Sequence, residues 1–289
     1  MSGGWASEPA CEHAPGAAGT RPVAAYRRAV PELPEVEAYR SLAEAVVGRR
    51  IAVVEAPDAW YLKGGADAST VEHALIGRTV VAARRIGKRL LLDLDGGTVL
   101  GLRFGMTGRL LVDGVAGVDG LLYSSNRDER GWDRFVVGFD GGGEMRMRDP
   151  RRLGGVELDP DESVLGVDAR SVGLAALRAA LAASPVALKA RLMDQRRIAG
   201  VGNLIADEAL WRAGLDPRRP AGSLDDPEVR RLARHLRATI ADLIDRGGSH
   251  TGDLLPHRHP GGRCPRDGEP LARATVGGRT TWWCGRHQR

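Results

Sequence analysis

The spacing of apolar residues changes between residues 160 and 170, and this change limits the folds open to the chain. Before it, short apolar runs such as Ile51–Val54 and Leu90–Leu94 alternate with turns rich in Gly and Asp. That pattern is typical of antiparallel strands in a sandwich or barrel. After it, residues 170–246 are rich in Ala, Leu and Arg, and two glycines end them. We therefore predict an α+β multidomain protein, in which an N-terminal β-sandwich with flanking helices is followed by a helical domain.

The two ends of the chain differ from these two parts. Residues 1–30 are rich in Gly, Ala and Pro without periodicity, which predicts a disordered leader. Residues 31–160 and 161–253 form the two predicted domains, and a helix from Leu33 to Val47 opens the first. The segment 254–289 is too short to enclose an apolar core, so its fold needs an additional cross-link such as a metal ion.

Charge and cysteine content restrict the partner and the compartment. The net charge is +5, and the basic C-terminal segment contains Trp282 and Trp283. A basic end with aromatic side chains suits a phosphate backbone, although a solvated tail would look the same. Three cysteines cannot form a disulfide framework, which favours a reduced compartment and a metal site. The sequence shows neither a bilayer-spanning apolar run nor a secretory signal, so we expect a cytoplasmic, nucleoid-associated protein without a membrane partner.

A short acidic motif opens the first predicted helix. It reads Pro31-Glu32-Leu33-Pro34-Glu35-Val36-Glu37. An ordinary helix start would contain similar residues, because proline and acidic side chains suit the first turn. As a whole, however, the motif resembles the N-terminal signature of the formamidopyrimidine-DNA glycosylase/endonuclease VIII family, and the resemblance extends to the C-terminus. It implies a monomeric base-excision-repair DNA glycosylase with AP lyase activity, which acts on double-stranded DNA containing damaged bases or abasic sites.

The resemblance implies that Pro31 is the nucleophile, because family members carry this proline at the mature N-terminus. A free α-amino group has a pKa of roughly 7.7–8.0, so part of it is unprotonated near neutral pH and can attack C1′ of the damaged nucleotide. By the same resemblance, Glu32 is the neighbouring acid or base and Glu35 supports the site. Lys88, in a Gly-Lys element before a run of leucines, would point into the DNA cleft.

The residue before Pro31 conflicts with this chemistry. Val30 makes the proline nitrogen a tertiary amide, which is not nucleophilic. Because a GTG valine codon can start translation in bacteria as methionine, we hypothesise that translation starts at codon 30 and that removal of the initiator exposes Pro31. The alternatives are a leader that is cleaved and a catalytically inactive DNA-binding protein on the same fold. An N-terminal-proline tautomerase acting on small acids is a further alternative, which the C-terminal motifs disfavour.

Two loops match family elements that handle the flipped nucleotide. They are Gly105-Met106-Thr107-Gly108 and Asp149-Pro150-Arg151-Arg152-Leu153-Gly154. A methionine in a turn could simply be buried. The resemblance instead implies that Met106, Arg151 and Leu153 fill the gap left when the damaged base leaves the helix, which costs a few kcal/mol. Phenylalanine is typical at the position of Leu153, and leucine stacks less well on a base.

The sequence G-x-G-N-x-x-A-D-E at residues 200–208 resembles the helix–two-turn–helix element of the family. A purely structural helix hairpin is the alternative. Glycines beside a helix N-terminus expose backbone N–H groups that suit a phosphate. The resemblance implies that Lys189 and Asn203 contact the DNA phosphates.

The C-terminal segment has the spacing of the family's zinc finger. Cys264 and Asp267 are followed after sixteen residues by Cys284 and His287, where the family has four cysteines. Zinc accepts all three of these residue types, so we predict one structural Zn²⁺ in a zinc-finger-like β-hairpin. His257 or His259 could supply the fourth ligand, and a finger without zinc is the remaining alternative. Arg279 matches the arginine at the hairpin tip that grips the phosphates flanking the lesion.

The preferred lesion depends on the segment between the last helix and the finger. Only fifteen residues separate Gly248 from Cys264, whereas family members that excise 8-oxoguanine typically have a longer segment there. Its shortness favours oxidised pyrimidines, as in endonuclease VIII, or ring-opened bases in general.

Overall fold

The computed structural model describes residues 31–118, 121, 125 and 127–289. The predicted leader at residues 1–30 therefore lies outside the described residues. The α-helices of the described residues are α1 (Leu33–Ala43), α2 (Ala68–Leu75), α3 (Leu174–Leu181), α4 (Leu188–Leu192), α5 (Asn203–Ala213) and α6 (Asp226–Asp245). The strands are β1 (Ile51–Glu55), β2 (Val80–Ile86), β3 (Arg89–Leu94), β4 (Val99–Arg103), β5 (Arg109–Val112), β6 (Val115–Ala116), β7 (Asp133–Phe139), β8 (Glu144–Arg148), β9 (Gly155–Leu158), β10 (Val167–Asp168), β11 (Ile198–Ala199), β12 (Leu271–Val276) and β13 (Arg279–Cys284).

The N-terminal half is built on two antiparallel sheets. Their strand orders are β1-β7-β8-β5-β6 and β2-β3-β4-β9. Apolar side chains from both sheets, including Leu92, Phe135 and Met147, form one core. Helix α1 belongs to the same layer, because Val36 and Tyr39 are fully buried in that core. The predicted β-sandwich with flanking helices is confirmed.

Helices α3 to α6 enclose a second core. Asp225 caps α6 by accepting a hydrogen bond from the Glu228 N–H at 2.8 Å, and Gly214 ends α5 in the left-handed conformation with φ 67°. Leu33 of α1 is buried in this second core, although it lies three residues from Val36 in the first. Helix α1 therefore belongs to both cores and joins the two halves of the molecule.

The C-terminal segment is a two-stranded hairpin, β12 and β13. Gly277 and Gly278 form its two-residue turn, with φ 57° and 73°, as this type of tight hairpin requires. A Cβ at position 277 would lie 2.7 Å from the Cβ of Ala190, so the hairpin tip packs closely on α4. Its other end packs on Trp211 of α5.

Two local predictions about the first half need correction. Helix α2 lies within residues 49–160, where the apolar runs locate strands but no individual helix. Its Thr70 and Val71 favour strands, but the side chain of Asp67 caps the helix by accepting from the Thr70 N–H at 2.7 Å. The first helix also ends at Ala43 and continues only as a 3-10 turn, Glu44–Val46, before Gly48 turns at φ 84°. Within the described residues, no helix combines the length and hydropathy needed to cross a membrane.

Candidate active site and DNA interface

Pro31 lines a cleft of about 700 Å³ on the sandwich side of the molecule. Other residues of the cleft wall come from separate loops and strands: Trp60, Lys63, Lys88, Arg89, Arg103, Phe104, Gly105, Arg152, Leu153, Gly154, Leu165 and Gln195. Cations are frequent in this wall, which suits a polyanionic ligand. The cleft thus brings the predicted nucleophile together with Lys88 and with Leu153, which lie 57 and 122 positions further along the chain.

The carboxylate of Glu32 lies on the N-terminus of helix α5. It accepts hydrogen bonds from the Leu204 N–H at 2.8 Å and from the Ile205 N–H at 3.1 Å. A Cβ at position 202 would lie 2.1 Å from the Glu32 Cδ, so only glycine permits this approach. The sequence predicts that N–H groups at this helix N-terminus suit a phosphate. In the structure Glu32 occupies them, because a buried carboxylate needs the same donors and the positive helix end that a phosphate would use.

Glu35 is fully buried between the two halves. Its Oε2 accepts from the Glu32 N–H at 2.9 Å, and its Oε1 accepts from the N–H and hydroxyl of Ser249 at 2.6 and 2.8 Å. Burial raises the pKa of Glu35 from 4.5 to about 7, and the charge of Glu32 adds to this effect. Glu35 therefore connects α1 to the 3-10 turn Ser249–Thr251, and its role in supporting the site stays a prediction.

Lys88 stands on the tight turn between β2 and β3. The N–H of Gly87 donates to Asp168 Oδ2 at 2.7 Å, and Arg85 donates to the same carboxylate at 2.6 Å and to Glu37 at 2.8 Å. These ion pairs hold the turn against the second half of the molecule. Burial lowers the pKa of Lys88, and the neighbouring Glu32 and Glu35 oppose that shift. The charges of both carboxylates therefore act on Lys88.

One buried carboxylate joins the two loops that were predicted to enter the DNA. Asp149 accepts from the Thr107 hydroxyl and, at 2.7 Å, from the Gly154 N–H. Met106 and Leu153, on these two loops, are 37% and 43% exposed, which is unusual for apolar side chains and suits insertion between bases. Arg151 is exposed on the second loop.

Lys189 is not presented to solvent. Its ammonium lies 2.7 Å from Asp207 Oδ1 and donates to Thr281 Oγ1 at 2.7 Å, and the side chain is fully buried. Lys189 links α4, α5 and the hairpin, so its contacts stabilise the packing of these elements. The role in phosphate contact that the resemblance implied stays a prediction.

Asn203 and Arg279 lie where DNA could reach them. Asn203 opens α5 and is partly exposed as a residue, but its Oδ1 is buried and has no hydrogen-bond partner among the described residues. Arg279 is exposed at the hairpin tip, and its charge acts on Lys88.

The C-terminal cluster brings together the four predicted ligands. Ligand atoms of Cys264, Asp267, Cys284 and His287 lie within 4.8 Å of one another. His287 Nδ1 is 3.1 Å from Asp267 Oδ2 and 3.7 Å from Cys264 Sγ. A tetrahedral ion with bonds of 2.0–2.3 Å has ligand atoms about 3.3–3.8 Å apart. The cluster can therefore hold a metal ion.

Helix α5 also supplies groups that contact the side chains of this cluster. The indole Nε1–H of Trp211 donates to Cys264 Sγ at 3.3 Å. The Trp211 carbonyl lies 3.3 Å from His287 Nε2, so this nitrogen carries the proton and leaves Nδ1 to a metal. His257 and His259 are not part of the cluster formed by the described residues, so Asp267 is the ligand that the geometry favours.

Several positioning residues had not been singled out from the sequence. Asp149, Arg85 and Asp168 carry the contacts above, and Glu208 accepts from the Leu254 N–H at 2.9 Å. All of them act between segments distant in the chain. The one local signal was the surplus of Asp and Arg beside glycines in these segments.

A β-sandwich whose N-terminal proline segment faces a helix–two-turn–helix unit, followed by a ligand-bearing hairpin, defines the class of helix–two-turn–helix DNA glycosylases. The model of the formamidopyrimidine-DNA glycosylase N-terminal domain matches residues 30–156, and that of the H2TH domain of the same proteins matches residues 165–254. The chain belongs to the formamidopyrimidine-DNA glycosylase family, as the resemblance predicted.

Individual relatives agree along nearly their whole length. Formamidopyrimidine-DNA glycosylase of Paracoccus denitrificans is 36% identical, and the match covers 88% of this chain and 98% of that protein. The Burkholderia vietnamiensis protein is 35% identical over 90% of this chain and 100% of its own. The Lactococcus lactis enzyme, solved with a THF-containing DNA and an inhibitor, is 25% identical with a TM-score of 0.76, covering 90% of this chain and 100% of its own.

Proposed function

We propose that the protein is a bifunctional DNA glycosylase and AP lyase that removes damaged bases from double-stranded DNA through Pro31. The observation that carries this proposal is the placement of Pro31 in a cationic cleft, directly before a glutamate anchored on the second half of the molecule. The names of the curated relatives support the same activity, as does the Lactococcus lactis enzyme solved with DNA containing an abasic site.

The chemistry requires a secondary amine at Pro31. Its lone pair attacks C1′ of the damaged nucleotide, the N–C1′ bond forms, and the glycosidic bond breaks as the base leaves with a proton. The proline nitrogen then loses its proton, the C1′–O4′ bond of the sugar ring breaks as O4′ takes up a proton, and an iminium forms between the proline nitrogen and C1′. This iminium makes the C2′ proton acidic, so its removal expels the 3′ phosphate by β-elimination, and δ-elimination then expels the 5′ phosphate. Glu32 is the proposed acid or base for these proton transfers, and Lys88 is the proposed cation beside the reacting sugar.

The proposed contacts with DNA are assigned to side chains that are exposed or partly exposed. Met106, Arg151 and Leu153 enter the space left by the flipped nucleotide, and Asn203 and Arg279 hold the phosphates. Binding by such cations is expected to weaken steeply as salt is added. We further expect the active form to be a monomer in the cytoplasm at the nucleoid, where its DNA substrate lies.

The proposed chemistry is possible only if the nitrogen of Pro31 is a free amine. Borohydride reduces an iminium and leaves a covalent protein–DNA adduct. We expect an adduct on abasic-site DNA when the chain begins at Pro31, and none when Pro31 is still linked to Val30 in the full-length chain. Both forms contain every described residue from 31 onwards, so the second is a matched control. An adduct on the full-length form with an intact N-terminus, proved by mass spectrometry, would refute Pro31 as nucleophile. Absence of an adduct on both forms would favour the inactive DNA-binding protein.

The lesion preference can be tested with the same protein. We propose ring-opened purines as substrates, because the curated relatives are named for formamidopyrimidine. The short segment between Gly248 and Cys264 favours oxidised pyrimidines as well. Single-turnover excision from duplexes with formamidopyrimidine, 8-oxoguanine or thymine glycol separates the two. Faster release of thymine glycol would support an endonuclease VIII-like preference.

Zinc is the proposed ion of the C-terminal cluster. Two thiolates, one imidazole and one carboxylate form a set that zinc accepts, and the closed, partly buried site suits a structural ion. We expect one zinc per chain by elemental analysis, and a cobalt-substituted protein with the absorption of a tetrahedral thiolate site. His287→Ala should abolish both signals, while His259→Ala should leave them unchanged. Loss of zinc in His259→Ala would instead show that the ligand set is wrong.

A further inference from the structure

We propose that Trp60 is a base-stacking residue of the DNA cleft, which takes the face of an unpaired nucleobase. This inference rests on the proposed function, because it needs a duplex opened at a damaged site. Opening a base pair leaves two bases without their partners, the damaged one and the one opposite. Each offers a flat π surface, which aromatic side chains bind irrespective of sequence.

The indole of Trp60 is exposed at a place where large apolar side chains are normally covered. It is 67% exposed, the highest value among the exposed large hydrophobic residues of the described part of the chain. It nevertheless lines the same cleft as Pro31 and Leu153. An exposed tryptophan in a cationic cleft suits a ligand that is both anionic and aromatic.

The ring is held in place rather than left free. Trp60 lies in the 3-10 turn Ala59–Tyr61, whose last residue is fully buried in the sandwich core. Lys63 Nζ lies 4.8 Å from the indole centroid and donates to the Trp60 carbonyl at 2.5 Å. A cation on the ring fixes its position and brings a positive charge next to the stacking surface. Such a preorganised ring loses little conformational freedom when a base binds.

A single carboxylate couples this turn to the loop that contains Leu153. Asp58 accepts from the Trp60 N–H at 3.1 Å and from Arg152 Nε and Nη2, each at 2.6 Å. Arg152 has a left-handed backbone with φ 58°, a conformation that needs such support in a residue other than glycine. Asp58 therefore sets the positions of the indole and of Leu153 relative to each other.

The chemistry of Leu153 explains why a stacking residue is needed nearby. Leucine fills the space between bases but offers no π surface, so an unpaired base beside it gains little stacking energy. Trp60 supplies an aromatic surface in the same cleft, on a turn connected to the same loop. The two side chains therefore have different roles: Leu153 fills the gap, and Trp60 covers the face of an unpaired base.

The test compares Trp60→Ala and Trp60→Leu with Trp60→Phe, which keeps a ring. Because the side chain is exposed, all three variants should unfold at the wild-type temperature. Dissociation constants are measured by fluorescence anisotropy on two uncleavable duplexes, with a tetrahydrofuran abasic analogue opposite cytosine or opposite a second analogue. Single-turnover excision of 8-oxoguanine and lyase cleavage of an abasic site are measured in parallel.

Stacking on a base predicts losses of about 10-fold for the Ala and Leu variants and less than about 3-fold for Phe. If Trp60 covers the base opposite, the Ala loss in affinity disappears when that base is replaced by the second analogue. If it covers the damaged base, excision falls but lyase cleavage and analogue binding fall much less. Equal losses on every substrate, or no loss on any, would overturn the proposal. The binding arm needs no catalysis, so a protein that binds these duplexes but forms no borohydride adduct would refute the proposed activity, and its dissociation constants would still show whether Trp60 covers the base opposite.

Discussion

Glu32 and Leu204 are 172 positions apart in the chain, yet the Leu204 N–H donates to the Glu32 carboxylate at 2.8 Å. Helix α5 thus holds the glutamate beside the proposed nucleophile at one end. At its other end, Trp211 of the same helix contacts the C-terminal cluster. The site is therefore complete only when the sandwich and the helical domain are packed together. The predictions below each test one contact of this arrangement.

Gly202→Ala should separate Glu32 from α5. The new Cβ would lie 2.1 Å from the Glu32 Cδ, so the carboxylate or the helix must move. We expect a loss of about 1–3 kcal/mol in the free energy of unfolding, because a buried carboxylate loses its donors. Excision should fall at least 10-fold. Gly131→Ala is the control, since a Cβ there has no neighbour within 4 Å. Equal behaviour of the two variants in urea unfolding would contradict this account.

Glu35 should make stability depend on pH. Its pKa is raised from 4.5 to about 7 in the folded protein, so folding is favoured when the carboxyl is protonated. This contribution is complete below about pH 4.5 and is lost as the pH rises through 7, on the order of 3 kcal/mol in all. Glu35→Gln cannot titrate, so its urea-unfolding free energy should lack this slope between pH 5 and 8. The exposed Glu55→Gln should keep it, and a wild-type slope in Glu35→Gln would be evidence against the raised pKa.

Lys189→Met tests whether this lysine is structural. Its removal leaves Asp207 buried with Arg258, 2.7 Å away, as the one remaining cationic partner in the described part of the chain. We expect a loss of about 3 kcal/mol in unfolding free energy, typical of a broken buried pair. The salt dependence of DNA affinity should stay as in the wild type, because a buried ammonium displaces no counterion. If Lys189 does reach a phosphate, the slope of log K against log salt will become shallower by about 0.9.

Arg279→Ala should change the salt dependence of DNA binding but not the stability of the fold, the reverse of what we expect for Lys189→Met. The side chain is exposed at the hairpin tip, so unfolding free energy should change by less than about 0.5 kcal/mol. The salt slope should become shallower by about 0.9 for one lost phosphate contact. Arg234→Ala, an exposed arginine on α6, is the control and should leave the slope unchanged. An unchanged slope in Arg279→Ala would remove the hairpin tip from the DNA interface.

The order of strands and helices, the helix start at Leu33 and the spacing of Cys264 and Cys284 could be predicted from the sequence. These features depend on local periodicity, on turn residues and on side-chain chemistry, which a short stretch of chain contains in full. Helix α2 escaped prediction because its strand-favouring residues are outweighed by the cap at Asp67. The family resemblance added roles for residues such as Pro31 and Met106, which spacing alone does not provide.

Only the tertiary structure decided the partners of the charged groups. The sequence shows a glutamate, a helix start and two glycines. Packing alone brings Glu32 onto α5, where its carboxylate accepts from the first N–H groups of the helix and leaves them unavailable to a phosphate. In the same way, Lys189 reads as a surface cation until α4, α5 and the hairpin enclose it. The physical reason is that burial and ion pairing depend on segments far apart in the chain, whereas the preference for a helix or a strand depends on neighbours.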